Sequence, residues 1–350
     1  MAAEIGGNKK ACVIGGTGFV ASVLIKLLLE KGYAVNTTVR DPELMDRALK
    51  LELFVDLLFY IGANNQKRVS HLNELQQLGV LKIFRADLTD ESSFDAPIAG
   101  CVFVFHVATP ASKDPENDMI KPAMQGVLNV IRACARAKAV KRLVWTSSTA
   151  AVSINNLQGT GLVMDEKNWT DVEFLTSVKP PDWGYPASKM LAEKAAWRFA
   201  EENDVDLITV ISTLLAGRSL TQDVPSSVCL AMSLITGNLF WINGLKDMQM
   251  LSGSIFITHV EDACCAHIFV AENESASGRY ICCAANTCLP ELAKFLNKIP
   301  RYKFWGFPSK GKLILSSEKL INEGFTYKYR IDSIYDQSVE YFKEKGLLQV

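Results

Sequence analysis

The chain has 350 residues, 49% of them hydrophobic, which is enough for a large buried core in one large or two smaller domains. Its 37 Lys and Arg nearly cancel its 38 Asp and Glu, so the net charge of −1 attracts neither nucleic acid nor an anionic lipid surface. Nine cysteines without CxxC or framework spacing predict reduced thiols and, with no secretory signal at the start, a cytoplasmic protein.

A short apolar strand is predicted over 11–14 and an amphipathic helix over 19–31. Between them stands Gly15-Gly16-Thr17-Gly18-Phe19-Val20-Ala21. That order places backbone N–H groups at a helix N-terminus, where the dipole favours a phosphate. Gly15 suits the tight turn, Gly18 lets the backbone approach a pyrophosphate, and Ala21 keeps the third position small. The second strand, 34–39, ends at Arg40. A guanidinium there matches the 2′-phosphate of NADPH, with Asp41 as a competing ion-pair partner or ribose ligand.

Residues 43–63 fit this alternation badly. Leu51, Phe54, Leu58 and Ile61 give an apolar helical face, so the segment reads as an inserted surface helix; its apolar run, 51–61, is too short to span a bilayer. A helix over 65–78 follows, bringing Lys67 and Arg68. Strand 81–85 leads to Asp87-Leu88, placed to frame an adenine. Strand 102–107 contains His106, read as a structural histidine, and leads to Val107-Ala108-Thr109. Then come a helix over 118–138, strand 142–146 ending at Ser147-Ser148, a helix over 185–203, and strand 206–211 ending at Ser212-Thr213.

This alternation predicts an α/β fold, a doubly wound parallel sheet of Rossmann type with ligands at the carboxyl ends of its strands. The last third differs: a loop and helix over 223–237, helices over 261–271 and 290–296, and a short strand over 278–282. It reads as a smaller mixed α/β substrate lobe. The expected division is 1–212 for the NADP-binding domain and 213–350 for the lobe, partly interleaved.

Tyr185 and Lys189 stand four apart on a predicted helix and project from one face. Free tyrosine has a pKa of about 10, and a neighbouring ammonium would favour tyrosinate. Ser148 supplies a hydroxyl able to hold a substrate oxygen. Hydride would come from a nicotinamide, with the protein supplying position and protons. Cys264, His267 and His259 offer too few ligands for a metal, and no GxSxG nucleophile elbow occurs.

Together these features resemble the extended short-chain dehydrogenase/reductase superfamily. The runs CVIGGTGFVAS, NTTVRDP, KIFRADLTDE, FHVATP, DPENDMIKPA, TSSTAAVSIN, DEKNWTDVEFL, WGYPASKMLAEKAAW and SGRYICCAANT are similar to the plant anthocyanidin reductases within it. The resemblance implies NADPH-dependent reduction of anthocyanidins such as cyanidin to 2,3-cis-flavan-3-ols such as epicatechin, in proanthocyanidin synthesis. It implies Ser148, Tyr185 and Lys189 as the catalytic triad. Its cofactor contacts would fall on Gly15, Thr17, Gly18, Phe19, Val20, Arg40, Lys67, Asp87, Leu88, Val107, Ala108, Thr109 and Tyr185. The partner would be a small flavonoid, with no nucleic acid and no membrane span; association with other flavonoid enzymes is left open. Alternatives are a dihydroflavonol 4-reductase-type ketone reductase and a catalytically impaired nucleotide-binding homologue. Departures from the family pattern are the insertion at 43–63, a short loop after Pro110, Ser212 where proline is usual, and Cys265 where a basic residue is common.

Overall fold

A computed structural model describes residues 9–40, 69–109, 119–155, 161–180, 183–298, 302–307 and 311–348. Its centre is a seven-stranded, wholly parallel sheet built from β1 (Lys10–Ile14), β2 (Ala34–Val39), β3 (Leu81–Arg85), β4 (Phe103–His106), β5 (Arg142–Ser148), β7 (Leu207–Ser212) and β10 (Gly278–Cys282). The strand order is β10-β7-β5-β4-β1-β2-β3. Both faces are covered, and β1 shows how. Ala11 and Val13 enter a core shared with the Phe19–Glu30 and Val260–Glu272 helices, while Cys12 and Ile14 enter a second core with the Lys121–Arg136 and Gly184–Glu202 helices. A strand buried on both sides must be apolar on both, hence the unbroken run Ala11-Cys12-Val13-Ile14.

The chain leaves this sheet after β7. The strand β8 (Leu214–Ala216) pairs parallel with β9 (Ile255–His259), which pairs antiparallel with β11 (Ala285–Thr287). A third core lies between this small sheet and the Ser226–Thr236, Leu239–Ser252 and Ile331–Glu344 helices. The intervening β10 returns to the large sheet beside β7, so the two parts of the chain interleave. A two-stranded parallel ribbon joins β6 (Leu162–Met164) to β12 (Leu313–Leu315).

The ribbon, β8, β9, β11 and the helices at 239–252 and 331–344 carry no sequence prediction. Three-residue strands are too short to show a period. The Leu239–Ser252 helix buries Ile242, Leu245 and Gln249 while leaving Leu239, Phe240 and Met250 exposed, so its apolar stripe is blurred. The helix expected over 65–78 is helical over 69–75 and closes in a 3-10 turn at Gln76–Leu78. Its predicted start, Lys67 and the 43–63 segment lie outside the described residues.

Candidate active site

The order of the large sheet reverses between β1 and β4, so connections leave those strands on opposite faces and open a crevice at their carboxyl ends. Gly15 to Val20 stand after β1, Arg40 after β2, Asp87-Leu88 after β3, Val107 to Thr109 after β4, and Ser148 ends β5.

Gly18 is the N-cap of the Phe19–Glu30 helix, with extended backbone, and among the described residues no side chain caps it. Its first-turn N–H groups are therefore available to an anion. The turn before it is clamped from two sides. Gly16 N–H donates to the Thr38 carbonyl at 2.8 Å and Gly15 N–H to Thr38 Oγ1 at 3.2 Å. His71 Nε2 donates to the Gly16 carbonyl at 3.1 Å from the 69–75 helix. Gly15 sits at φ +98°, and a Cβ there would stand 2.9 Å from Ala108 Cβ. Thr17 and Gly18 are exposed, while Phe19 and Val20 are half-buried.

Arg40 is exposed at the end of β2. Asp87 accepts hydrogen bonds from Thr89 N–H at 2.8 Å and Thr89 Oγ1 at 2.7 Å. These bonds, with lesser help from Arg40 and Arg85, hold its carboxyl below the ordinary range. Leu88 packs on Gly126, and its carbonyl accepts from Asn129 Nδ2 at 2.8 Å. The uncapped helix end, the close glycine turn and the exposed guanidinium fit a phosphorylated dinucleotide.

Tyr185 and Lys189 lie in the first turns of the Gly184–Glu202 helix, with Pro186 where its missing N–H breaks no helical bond. The phenol oxygen accepts from the Ser148 hydroxyl, and Ser148 Oγ in turn accepts from Ala150 N–H at 3.2 Å. Lys189 is buried, and its Nζ donates to Thr109 Oγ1 at 2.8 Å and to the Thr146 carbonyl at 3.2 Å. Burial lowers the Lys189 pKa to about 8, with Glu193 pulling the other way. The Tyr185 pKa is raised, opposite to the lowering expected beside an ammonium. Desolvation in the crevice outweighs the Ser148 bond, and Lys189 gives its protons to Thr109 and Thr146 instead. With 41% of Tyr185 still exposed, solvent limits that rise.

Three histidines are buried near these groups. His106 is buried in β4 and pushed down to about 3, first by burial and then by Lys189. His267 donates from Nδ1 to the Ala263 carbonyl and accepts at Nε2 from Thr146 Oγ1, both at 2.7 Å; burial lowers it to about 4. His71 is likewise lowered by burial. Each folded pKa lies below the ordinary 6.5, so the unfolded chain takes up protons first as pH falls. Stability is therefore expected to fall from about pH 6.5 down towards 4. The urea midpoint should drop over that window, and His106→Leu should flatten the drop; parallel curves for parent and variant would refute the assignment.

Sequence reading missed His71, Thr38 and His267 as supports of the site, and also a buried ion pair, Glu193–Arg279, with Nε to Oε1 at 2.7 Å. Glu193 could have been noticed as the third member of the four-residue spacing from Tyr185. Arg279 carries no local signal.

Residues 11–283 match the NAD dependent epimerase/dehydratase family. The chain belongs to this family. Within it the chain groups with the anthocyanidin reductases. It is 72% identical to anthocyanidin reductase ((2S)-flavan-3-ol-forming) of Vitis vinifera over 98% of each chain. It is 57% identical to anthocyanidin reductase of Arabidopsis thaliana, covering 98% of this chain and 97% of that one. Among solved structures, vestitone reductase from alfalfa superposes with a TM-score of 0.75 at 34% identity, over 97% of this chain and 99% of that one. Among the described residues of this family member, no single helix is long and apolar enough to cross a membrane.

Proposed function

We propose that the protein reduces anthocyanidins such as cyanidin to 2,3-cis-flavan-3-ols such as epicatechin, using NADPH, in the cytoplasm. One juxtaposition carries the reading: an uncapped helix N-terminus behind a glycine turn shares a crevice with a tyrosine, a serine and a buried lysine. The resemblance to the Vitis reductase supports the substrate class. When bound, NADPH supplies hydride; two hydrides and one proton convert the flavylium cation to the neutral flavan-3-ol.

The remaining work falls to the chain's own residues. Gly15, Thr17, Gly18, Phe19 and Val20 seat the pyrophosphate, and Arg40 takes the 2′-phosphate. Asp87 and Leu88, after β3, would hold the adenosine, and Val107, Ala108 and Thr109, after β4, would complete the cofactor seat. Tyr185 delivers the proton, Ser148 orients the phenol and the substrate oxygen, and Lys189 places positive charge beneath them. Lys67 keeps its proposed part in cofactor binding, outside the described residues. Incubation with cyanidin and NADPH should yield epicatechin. Absence of any flavan-3-ol, or preferential reduction of dihydroquercetin at its 4-ketone, would overturn this reading.

Cofactor choice gives a separate check. Arg40→Ala should weaken NADPH binding by about 1.5–3 kcal/mol, the worth of a charged hydrogen bond, and NADH binding far less. Titration of both cofactors measures the difference; equal losses would remove Arg40 from the 2′-phosphate.

A further inference from the structure

Glu193 is fully buried, four residues beyond Lys189 and eight beyond Tyr185 on the same helix. Its Oε2 accepts from Ser147 Oγ at 2.5 Å, and its Oε1 accepts from Arg279 Nε at 2.7 Å. Ser147 immediately precedes Ser148 at the end of β5. Arg279 comes from β10 and is itself buried. Its Nη1 donates to the Glu166 and Asn168 carbonyls, each at 2.7 Å, and its guanidinium lies 3.6 Å from the Trp169 ring centroid. The Glu166 carboxylate in turn accepts from Ile281 N–H at 3.0 Å.

A buried ion pair is a poor device for stability alone, because desolvating both charges consumes most of what their attraction returns. Its merit is fixed geometry, and here the fixed parts all bear on the active site. We propose that Glu193 is a positioning residue: through Ser147 and Arg279 it holds the serine-bearing strand end against the tyrosine helix, and its charge sustains the Lys189 ammonium. This rests on the reductase reading above, which assigns Lys189 and Tyr185 their roles.

The charged and titratable groups around Lys189 are few. Glu193 and Tyr185 come from its own helix. His106 faces it from β4, His267 stands behind Thr146 on the Val260–Glu272 helix, and Arg279 stands behind Glu193. His106 and His267 are neutral above about pH 5, being lowered to about 3 and about 4. Among the described residues Glu193 is thus the negative charge that acts on Lys189, and it opposes the desolvation that brings Lys189 down to about 8.

The test is a titration of Lys189 by NMR of lysines labelled at Cε in the full chain without cofactor, with Lys189→Met identifying the signal. Turnover of cyanidin is measured beside it as a function of pH. Glu193→Gln should move the Lys189 midpoint down by about one pH unit. The alkaline limb of kcat should follow, with kcat at neutral pH down tenfold or more and the KM for NADPH within about twofold. Arg279→Gln should move the midpoint the other way, because it leaves the Glu193 charge uncompensated. Glu193→Asp, which keeps the charge and shortens the reach, should keep the parent's midpoint and lose kcat.

An unchanged midpoint in both Gln variants would overturn the electrostatic role, and full kcat in Glu193→Asp would overturn the geometric one. If Glu193→Gln fails to fold, the direction of the Arg279→Gln shift still decides. Should the parent itself fail to turn over cyanidin while the midpoints move as stated, the reductase reading fails and the positioning role stands.

Discussion

Tyr185→Phe should lower turnover of cyanidin by about 10²–10⁴-fold, the usual worth of a positioned proton donor. NADPH binding should change little. The substitution deletes one oxygen whose partner is Ser148 at the end of β5, and the glycine turn is held by Thr38 instead. Lys189 keeps both of its hydrogen bonds, since neither goes to the phenol. The helix keeps Pro186 and its buried neighbours Ala187 and Ser188. Folding and cofactor affinity thus serve as controls for the loss of chemistry. Fluorescence titration with NADPH and product analysis from the same preparation check both halves. Retained turnover would remove Tyr185 as the proton donor; lost NADPH binding would make the phenol a part of the cofactor seat. Ser148→Ala tests the companion role and should give a smaller loss, since Tyr185 keeps its proton and loses only its guide.

The extent to which this arrangement is legible in the sequence follows from how each part is encoded. β1, the glycine turn and the Phe19–Glu30 helix are adjacent in the chain, and each carries a local signature: an apolar run, a residue without Cβ, an amphipathic stretch. Tyr185 and Lys189 share one helix face, so their spacing alone brings them together. Ser148 is a legible candidate because it ends a parallel strand, and ligands bind at such ends. The supports are hidden because their partners are remote. Arg279 meets Glu193 across 86 positions, and Lys189 meets Thr109 across 80. Thr38 holds the glycine turn only because β2 lies in register beside β1, Ile14 opposite Thr38. No periodicity reports such pairings; they exist only once the sheet order is known. The sign of the Tyr185 shift is hidden for the same reason. Spacing puts an ammonium on the same helix face, but it cannot say that the ammonium is engaged by Thr109 and the Thr146 carbonyl.

Gly15→Ala should weaken NADPH binding at least about tenfold while leaving a folded chain, and Gly32→Ala is its internal control. Both glycines hold positive φ, +98° and +83°. An L-residue there costs about 1–2 kcal/mol in either place. Around Gly32 nothing lies within 4 Å of the added carbon, so that strain is the whole cost. At Gly15 the new Cβ would stand 2.9 Å from Ala108 Cβ and 3.1 Å from Ala108 Cα, and overpacking adds about 1–3 kcal/mol. Relief must come from the turn itself, because Ala108 continues directly from β4, bonded into the sheet between β1 and β5. Shifting the turn breaks the Gly15 bond to Thr38 and swings the Gly18 N-cap away from the crevice. Each charged hydrogen bond to a phosphate lost in this way is worth about 1.5–3 kcal/mol, roughly tenfold to hundredfold in Kd. The two variants should therefore melt within a few degrees of each other yet differ by at least about tenfold in NADPH affinity. Equal affinities would mean that the first turn does not seat the pyrophosphate, and the crevice would need another explanation for its uncapped helix.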